Sequence, residues 1–359
     1  ALAAMFALSQ LVLENAKSRF AAVAMHAGLA GTYGLLHIYS ANYTVWTALF
    51  ICVGWLMLAS VQRSEEKMLG RRIAGYAFIA AGCVLRVQAW IMILPFMLLD
   101  MALRAWDGKR DGLGARAKKL VCLLLPAFVL MAAAGAEIYF TYIRGAYSEE
   151  YAYNSSRISV VDYPMKDYSE IENPFFSEND YECLTHWVLL DTDIVTREYL
   201  EDVHAIAGEK TALSPRAIYS AITDMLSETN DHIPLFLFTA LLAVVLLTRK
   251  GAPQKLRAAF SVIGAGIILL YLLRQGRLPS RVVYCLCIGM LGNVFAAMLF
   301  DSPEGNKAMG VLSAIMAFAV LLSAGWVAAR DAGELQSAFN ARSTAADDEK
   351  DGYVYIWDM

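Results

Sequence analysis

The sequence predicts an all-α polytopic integral membrane protein: about ten membrane-embedded helices, including a short helix pair at 73–100, and a small, mainly helical extracytoplasmic cap. Three observations lead there. Hydrophobic residues make up 58% of the chain and charged ones only 18%, where a soluble domain carries about 25% charged residues. The apolar residues are gathered into blocks of membrane length, since a hydrocarbon core takes about 20 helical residues. Between the blocks lie three basic stretches, Arg63 to Arg72, Arg104 to Lys119 and Arg249 to Arg257. Basic residues in short loops mark the cytoplasmic side, and placing all three there orients the remainder.

Taken in order, the candidate spans are 1–13 (partial), 20–38, 43–61, 73–85, 87–100, 120–142, 233–248, 258–273, 282–300 and 309–327. They divide the chain into an N-terminal membrane part (1–145), an acidic extracytoplasmic loop or cap (146–231), a C-terminal membrane part (232–328) and an extracytoplasmic tail (329–359). The stretch 73–100 lies between two cytoplasmic loops and so must cross an even number of times. It is too short for two full spans and carries Arg86 at its middle. Two short helices meeting at an outer turn at Arg86 satisfy both facts, whereas one long helix would bury Arg86 at mid-bilayer at a cost of about 3 kcal/mol or more. His37 to Asn42 is then an outer turn. So is LLRQGRLPSR with Arg274, Arg277 and Arg281, against the positive-inside trend.

The outer loop is about 85 residues long and rich in Asp, Glu, Tyr and Asn. After Pro174, Ser177-Glu-Asn-Asp180 has the form of a capping box ahead of Leu184, Trp187 and Leu190 at helical spacing. Thr192 to Ala207 offers a second amphipathic helix through Val195, Leu200, Val203 and Ile206. Five of the six cysteines, Cys52, Cys83, Cys122, Cys285 and Cys287, fall in apolar segments and read as small buried hydrophobes. That leaves Cys183 without a partner for a disulfide in the loop. The chain opens at Ala1 inside an apolar run and ends on the strand-like GYVYIWDM, so both ends are expected to be cut and the tail to begin a further soluble domain.

Soluble-enzyme signatures are missing: there is no Gly-rich phosphate loop, GxSxG, HExxH or metal-spaced Cys/His cluster. No cofactor is indicated, a divalent metal ion included, and no nucleic-acid partner is expected. The outer arginines carry more. Arg86, Arg274, Arg277 and Arg281 sit near a membrane boundary, where charges are functional candidates by default. Their planar forks of donors suit a phosphate or carboxylate. The bland reading is that they pair with the loop's carboxylates and hold the cap down. Asp162 in SVVDYP, Glu137 near the outer end of 120–142, and Asp180 are candidate bases or sugar ligands; the histidines His26, His37, His186, His204 and His232 read as polar helix-face residues.

The stretches AYSEEYAYNSSRISVVDYPMKDY and SENDYECLTHWVLLD, the hairpin VLRVQAWIMILPF and the turn GRLPSRV resemble large, uncharacterised bacterial polytopic proteins. The layout is similar to membrane glycosyltransferases of the GT-C type. That resemblance implies a polyprenyl-phosphate-linked sugar as donor, a glycan or lipid acceptor, and an outer-face site in the bacterial inner membrane, within cell-envelope assembly. It implies inverting displacement at the anomeric carbon, with a carboxylate activating the acceptor and basic residues stabilising the departing lipid phosphate. Arg86, with Arg277 or Arg281, would hold the phosphate; Asn154, Arg157, Asp162 and Tyr163 would belong to the cap. The group's catalytic carboxylate lies in the first outer loop. HIYSANY has none, so either that loop lies upstream of Ala1 or the chain departs from the group. A membrane polysaccharide polymerase or ligase, a transporter or flippase, and a non-catalytic scaffold are the competing readings.

Overall fold

A computed structural model describes residues 2–15, 43–63, 69–107, 112–161, 165–171, 175–186, 195–208, 252–274 and 280–300, with a few isolated positions besides. The described residues are helical throughout, the one β feature among them being an isolated bridge between Met165 and Gly208. All of the expected span 233–248, and most of 20–38, of 309–327 and of the tail, lie outside the described residues. The chain divides into two compact units, one of Ala1–Asn42, Thr229–Gln254 and Ala297–Met359, the other of Tyr43–Glu228 and Lys255–Ala296. Helix α1 (Leu2–Asn15) belongs to the first, with Ala4, Leu8, Leu11 and Val12 buried and Leu2, Phe6 and Leu13 exposed.

The second unit holds a helical bundle built around α2 (Tyr43–Arg63). Among the described residues, three segments are long and apolar enough to cross a membrane: Tyr43–Val61 in α2, Leu124–Ile143 and Lys255–Leu272. They differ in surroundings: 83% of the first window is buried inside the protein, against 11% and 18% of the other two. So α2 is the core helix. Helices α4 (Leu113–Ile138) and α8 (Ala252–Arg274) instead turn apolar faces outward, through Val121, Leu125 and Val129 on one and Val262, Ile263 and Ile267 on the other. Faces of that kind are stable against lipid and unfavourable against water.

Helix α3 (Leu69–Asp107) is two arms, because Arg86 between them has extended backbone (φ −164°, ψ 96°). The arms fold back along α2. Gly75 on the first packs against Gly54 and Leu58, while Asp100 on the second accepts a hydrogen bond from Trp55 Nε1 at 3.0 Å. Residues 25 apart in one straight helix would be about 37 Å apart, so both reaching the 54–55 level of α2 requires a hairpin with Arg86 at its tip. The break at Arg86 is the one the charge pattern predicts, but the arms run from Leu69 to Asp107, past the expected 73–100 at both ends.

Glycine permits the close approach. A Cβ on Gly54 would stand 2.5 Å from the Gly75 carbonyl oxygen, and one on Gly82 2.6 Å from the Ile51 side chain. Small residues at helix crossings do this in membranes. Gly54→Leu is expected to destabilise by about 1–3 kcal/mol through overpacking against backbone, read as a lowered melting temperature in detergent, whereas Gly135→Leu, which meets nothing within 4 Å, should leave it unchanged.

Helix α9 (Ser280–Phe300) runs parallel to α2: Cys285 Sγ donates to the Thr44 carbonyl at 3.5 Å, and Cys52 Sγ to the Ile288 carbonyl at 3.7 Å. It runs antiparallel to α8, with Asn293 Nδ2 donating to Ser261 Oγ at 3.1 Å. Four of the five apolar-segment cysteines are buried as expected, but Cys122 is exposed, since α4 turns that face outward.

After α4 a five-residue π-helical turn (Tyr139–Ile143) leads to α5 (Ser148–Val161), α6 (Glu178–Thr185) and α7 (Arg197–Ala207). Val160, Ile171, Phe176, Leu184, Leu200, Val203 and Ala207 form the core of this small helical group. Ser177 and Asp180 make the expected capping box. Helix α6 ends at Thr185, with His186 as its C-cap, and Trp187 and Leu190 lie outside the described residues. Helix α7 begins later than the pattern predicts, because the Thr196 hydroxyl accepts from Tyr199 N and sets the N-cap there. Helix α5 was not expected: its run of Ser and Asn reads as loop, yet Ser156 and Val160 are buried in it.

Candidate functional site

The polar groups of the bundle gather at two levels along α2. The first is the hairpin tip. Arg86 Nη1 donates to Thr44 Oγ1 at 2.7 Å and to Tyr43 Oη at 3.0 Å, and its guanidinium carbon lies 5.3 Å from the centre of the Tyr43 ring. Thr44 is buried, Tyr43 exposed and Arg86 half-buried. These contacts hold one nitrogen of the fork. No carboxylate pairs with Arg86 among the described residues, so the carboxylate-clamp reading of this arginine finds no support in them.

Other expected residues converge on the same end. Arg281 lies one turn ahead of Cys285, whose thiol bonds the Thr44 carbonyl. Ser261 pairs with Asn293; Arg274 lies 13 residues after the one and Ser280 13 residues before the other, so the backbone of Arg274 lies at this end of the bundle, about 7 Å past the Cys285 level. Its side chain, and Arg277 entirely, lie outside the described residues.

The second level was missed by sequence reasoning. Asp100 is 1% exposed, with Oδ2 accepting from Trp55 and Oδ1 ion-paired with Nη1 of Arg257, itself 2% exposed. Ser261, one turn along α8 from Arg257, carries the bond from Asn293, which is fully buried and whose Oδ1 has no hydrogen-bond partner among the described residues. Arg257 closes a basic stretch and reads as a solvated cytoplasmic charge; Asp100 closes an apolar run and reads as a helix end. A lone acid ending an apolar run was the available signal, but nothing local to it names a partner 157 residues away. From Arg86 to Asp100 the arm rises about 21 Å, so the two polar levels are separate.

In the cap, Arg157 Nε donates to Asn154 Oδ1 at 3.1 Å, one turn apart on α5. Asp180 spends its carboxylate on α6, accepting from Ser177 N at 2.9 Å and Ser177 Oγ at 2.8 Å. Asp162 and Tyr163 lie outside the described residues; Glu137 is exposed on the last turn of α4. His186 faces Glu182 at 3.3 Å on an exposed surface, and His204 is exposed in the last turn of α7.

The shifted groups in the cap follow from local hydrogen bonds, from one bond between helices and from burial. Glu201 is held below the usual carboxylate range by hydrogen bonds from Arg197 (2.7 Å) and from Ser156 on α5 (3.2 Å). Burial, then the charges of Asp180 and Cys183, push Tyr199 up to about 12. Asp167 is lowered by the hydroxyl and amide of Ser169. None of these groups adjoins a cluster able to hold a metal, and no such cluster occurs among the described residues. Compared with family models, with curated proteins and with solved structures, the chain matches none.

Proposed function

We propose that this chain is a polytopic membrane glycosyltransferase of the GT-C kind. It holds the phosphate of a polyprenyl-phosphate sugar at the Arg86 end of its bundle and passes the sugar to a glycan or lipid acceptor on the outer face of the bacterial inner membrane. The cap, residues 146–231, lies on that face, and about ten membrane-embedded helices carry it. The observation behind this reading is the state of Arg86. Its Nη1 is fixed by Tyr43 and Thr44, which preorganises the guanidinium and leaves Nε and Nη2 as a fork for two phosphate oxygens. Arg281, one turn ahead of the Cys285 that bonds Thr44, adds a second charge at the same end. A departing phosphate gains negative charge as the glycosidic bond breaks, so donors already aimed at it favour the transition state over the bound donor. The base that activates the acceptor is left unassigned; Asp162 and Glu137 are its candidates.

The test is binding of a polyprenyl phosphate to the full chain in nanodiscs. Arg86→Ala is expected to weaken it at least tenfold, about 1.4 kcal/mol, with Arg86→Lys intermediate because an ammonium keeps the charge without the fork. Thr44→Val, which removes only one anchor, should weaken binding less than Arg86→Ala. If Arg86→Ala binds as the parent does, the headgroup reading is lost and the arginine is a structural clamp on α2, as in a scaffold.

A further inference from the structure

The segment joining α4 to the cap carries an aromatic collar. Tyr139, Phe140, Tyr142, Ile143, Tyr147 and Tyr151 are all between 41% and 70% exposed. They are ordered against one another. Tyr139 and Phe140 meet edge to face at 5.3 Å, the rings of Tyr142 and Tyr147 lie 5.7 Å apart, and the guanidinium carbon of Arg144 stands 6.0 Å from the Tyr139 ring centre. The turn is tight where it reverses: a Cβ on Gly145 would stand 2.6 Å from the Thr141 carbonyl oxygen, and Tyr147 N bonds that oxygen at 3.4 Å. A side chain at 145 would open the turn and part Tyr147 from Tyr142.

We propose that this collar is a docking surface for the headgroup and carbonyl layer of a lipid bilayer, holding the cap's first helix at the membrane surface. The inference rests on the membrane reading of α4 but not on any enzymatic role. Two features commit it to lipid rather than to a protein partner. First, the collar continues the exposed apolar stripe of α4 through Val121, Leu125 and Val129, and the apolar window ends at Ile143, within the collar. Second, polarity rises overall along the chain, from aliphatic residues, with exposed Glu137 one turn before Phe140, to rings with a hydroxyl at one end and an arginine among them, then to exposed Glu149 and Glu150 beside Tyr151. A bilayer changes in the same order from hydrocarbon to water, and tyrosine settles at that boundary because one end is apolar and the other wet. A binding face for a protein has no reason to be graded along one axis.

The full chain is placed in nanodiscs of phosphatidylcholine brominated either near the carbonyls or near the methyl ends. Two variants, Phe140→Trp and Val129→Trp, are read as added fluorescence over the parent's seven tryptophans. Val129 lies about 16 Å from Phe140 along the helix, near the bilayer centre if the collar is at its edge. The expected result is at least twofold stronger quenching of Phe140→Trp by the shallow bromines, and the reverse preference for Val129→Trp. Quenching of Val129→Trp by deep bromines with none at Phe140→Trp overturns the collar alone, pointing to cover by a second copy or by protein. Stronger deep quenching at 140 also overturns it, by placing the segment within the hydrocarbon. No quenching at either position removes the membrane reading itself.

Discussion

Asp100→Leu is expected to be the most damaging single substitution in the bundle, destabilising by about 3–5 kcal/mol. The pair it breaks is buried on both sides, at 1% and 2% exposure. Removing the acid takes from the buried guanidinium of Arg257 the carboxylate it pairs with, and Trp55 Nε1 loses its acceptor. Thermal unfolding in detergent, followed by far-ultraviolet circular dichroism, measures the loss. The diagnostic comparison is Asp100→Leu with Arg257→Met added. With both members of the pair replaced, much of the stability should return, because desolvation of the pair offsets most of its attraction. A double variant as unstable as the single one would show that the two residues act separately.

Leu200→Ala is expected to loosen the cap by about 2–5 kcal/mol, the range for deleting a fully buried leucine. Leu200 is fully buried, at the centre of the cluster that α5, α6 and α7 share. Hydrogen exchange of the intact protein separates local from global effects. Amides of α5 and α7 should exchange roughly thirty-fold faster or more, at about 1.4 kcal/mol per tenfold. Those of α2 and α9 should keep their rates, because the cap's core is its own. Unchanged exchange in the cap, or a matching rise in the bundle, would contradict an independent cap core.

What the sequence conveys, it conveys through local rules. The break at Arg86 follows from a charge in the middle of a stretch bounded by basic loops. The capping box at Ser177 and the stripe Leu200, Val203, Ile206 are short-range patterns, and the structure carries all three. Helix α5 escaped because serine and asparagine mark loops unless packing overrides them, and here Ser156 is held by Glu201 from another helix. The outer arginines could be named from boundary position, but whether each is spoken for depends on neighbours far along the chain. The Asp100–Arg257 pair was illegible for that reason: each residue has an adequate local explanation, and only the antiparallel course of α8 brings them together.

The length of the first arm of α3 ties the protein to its solvent. Between Arg72 and Arg86 the arm rises about 21 Å, against about 30 Å for an average hydrocarbon core. In such a bilayer, on the topology and headgroup reading proposed above, the tip would stop short of the far surface, and a phosphate meeting Arg86 would have to descend below the plane of its neighbours or find the membrane thinned around it. Acyl-chain length then acts as a control variable. A thinner membrane lifts the guanidinium toward the headgroups and a thicker one submerges it, each ångström of mismatch costing a fraction of a kcal/mol. On the headgroup reading proposed above, the same chain would bind a lipid phosphate differently in membranes of different thickness, with no residue changed.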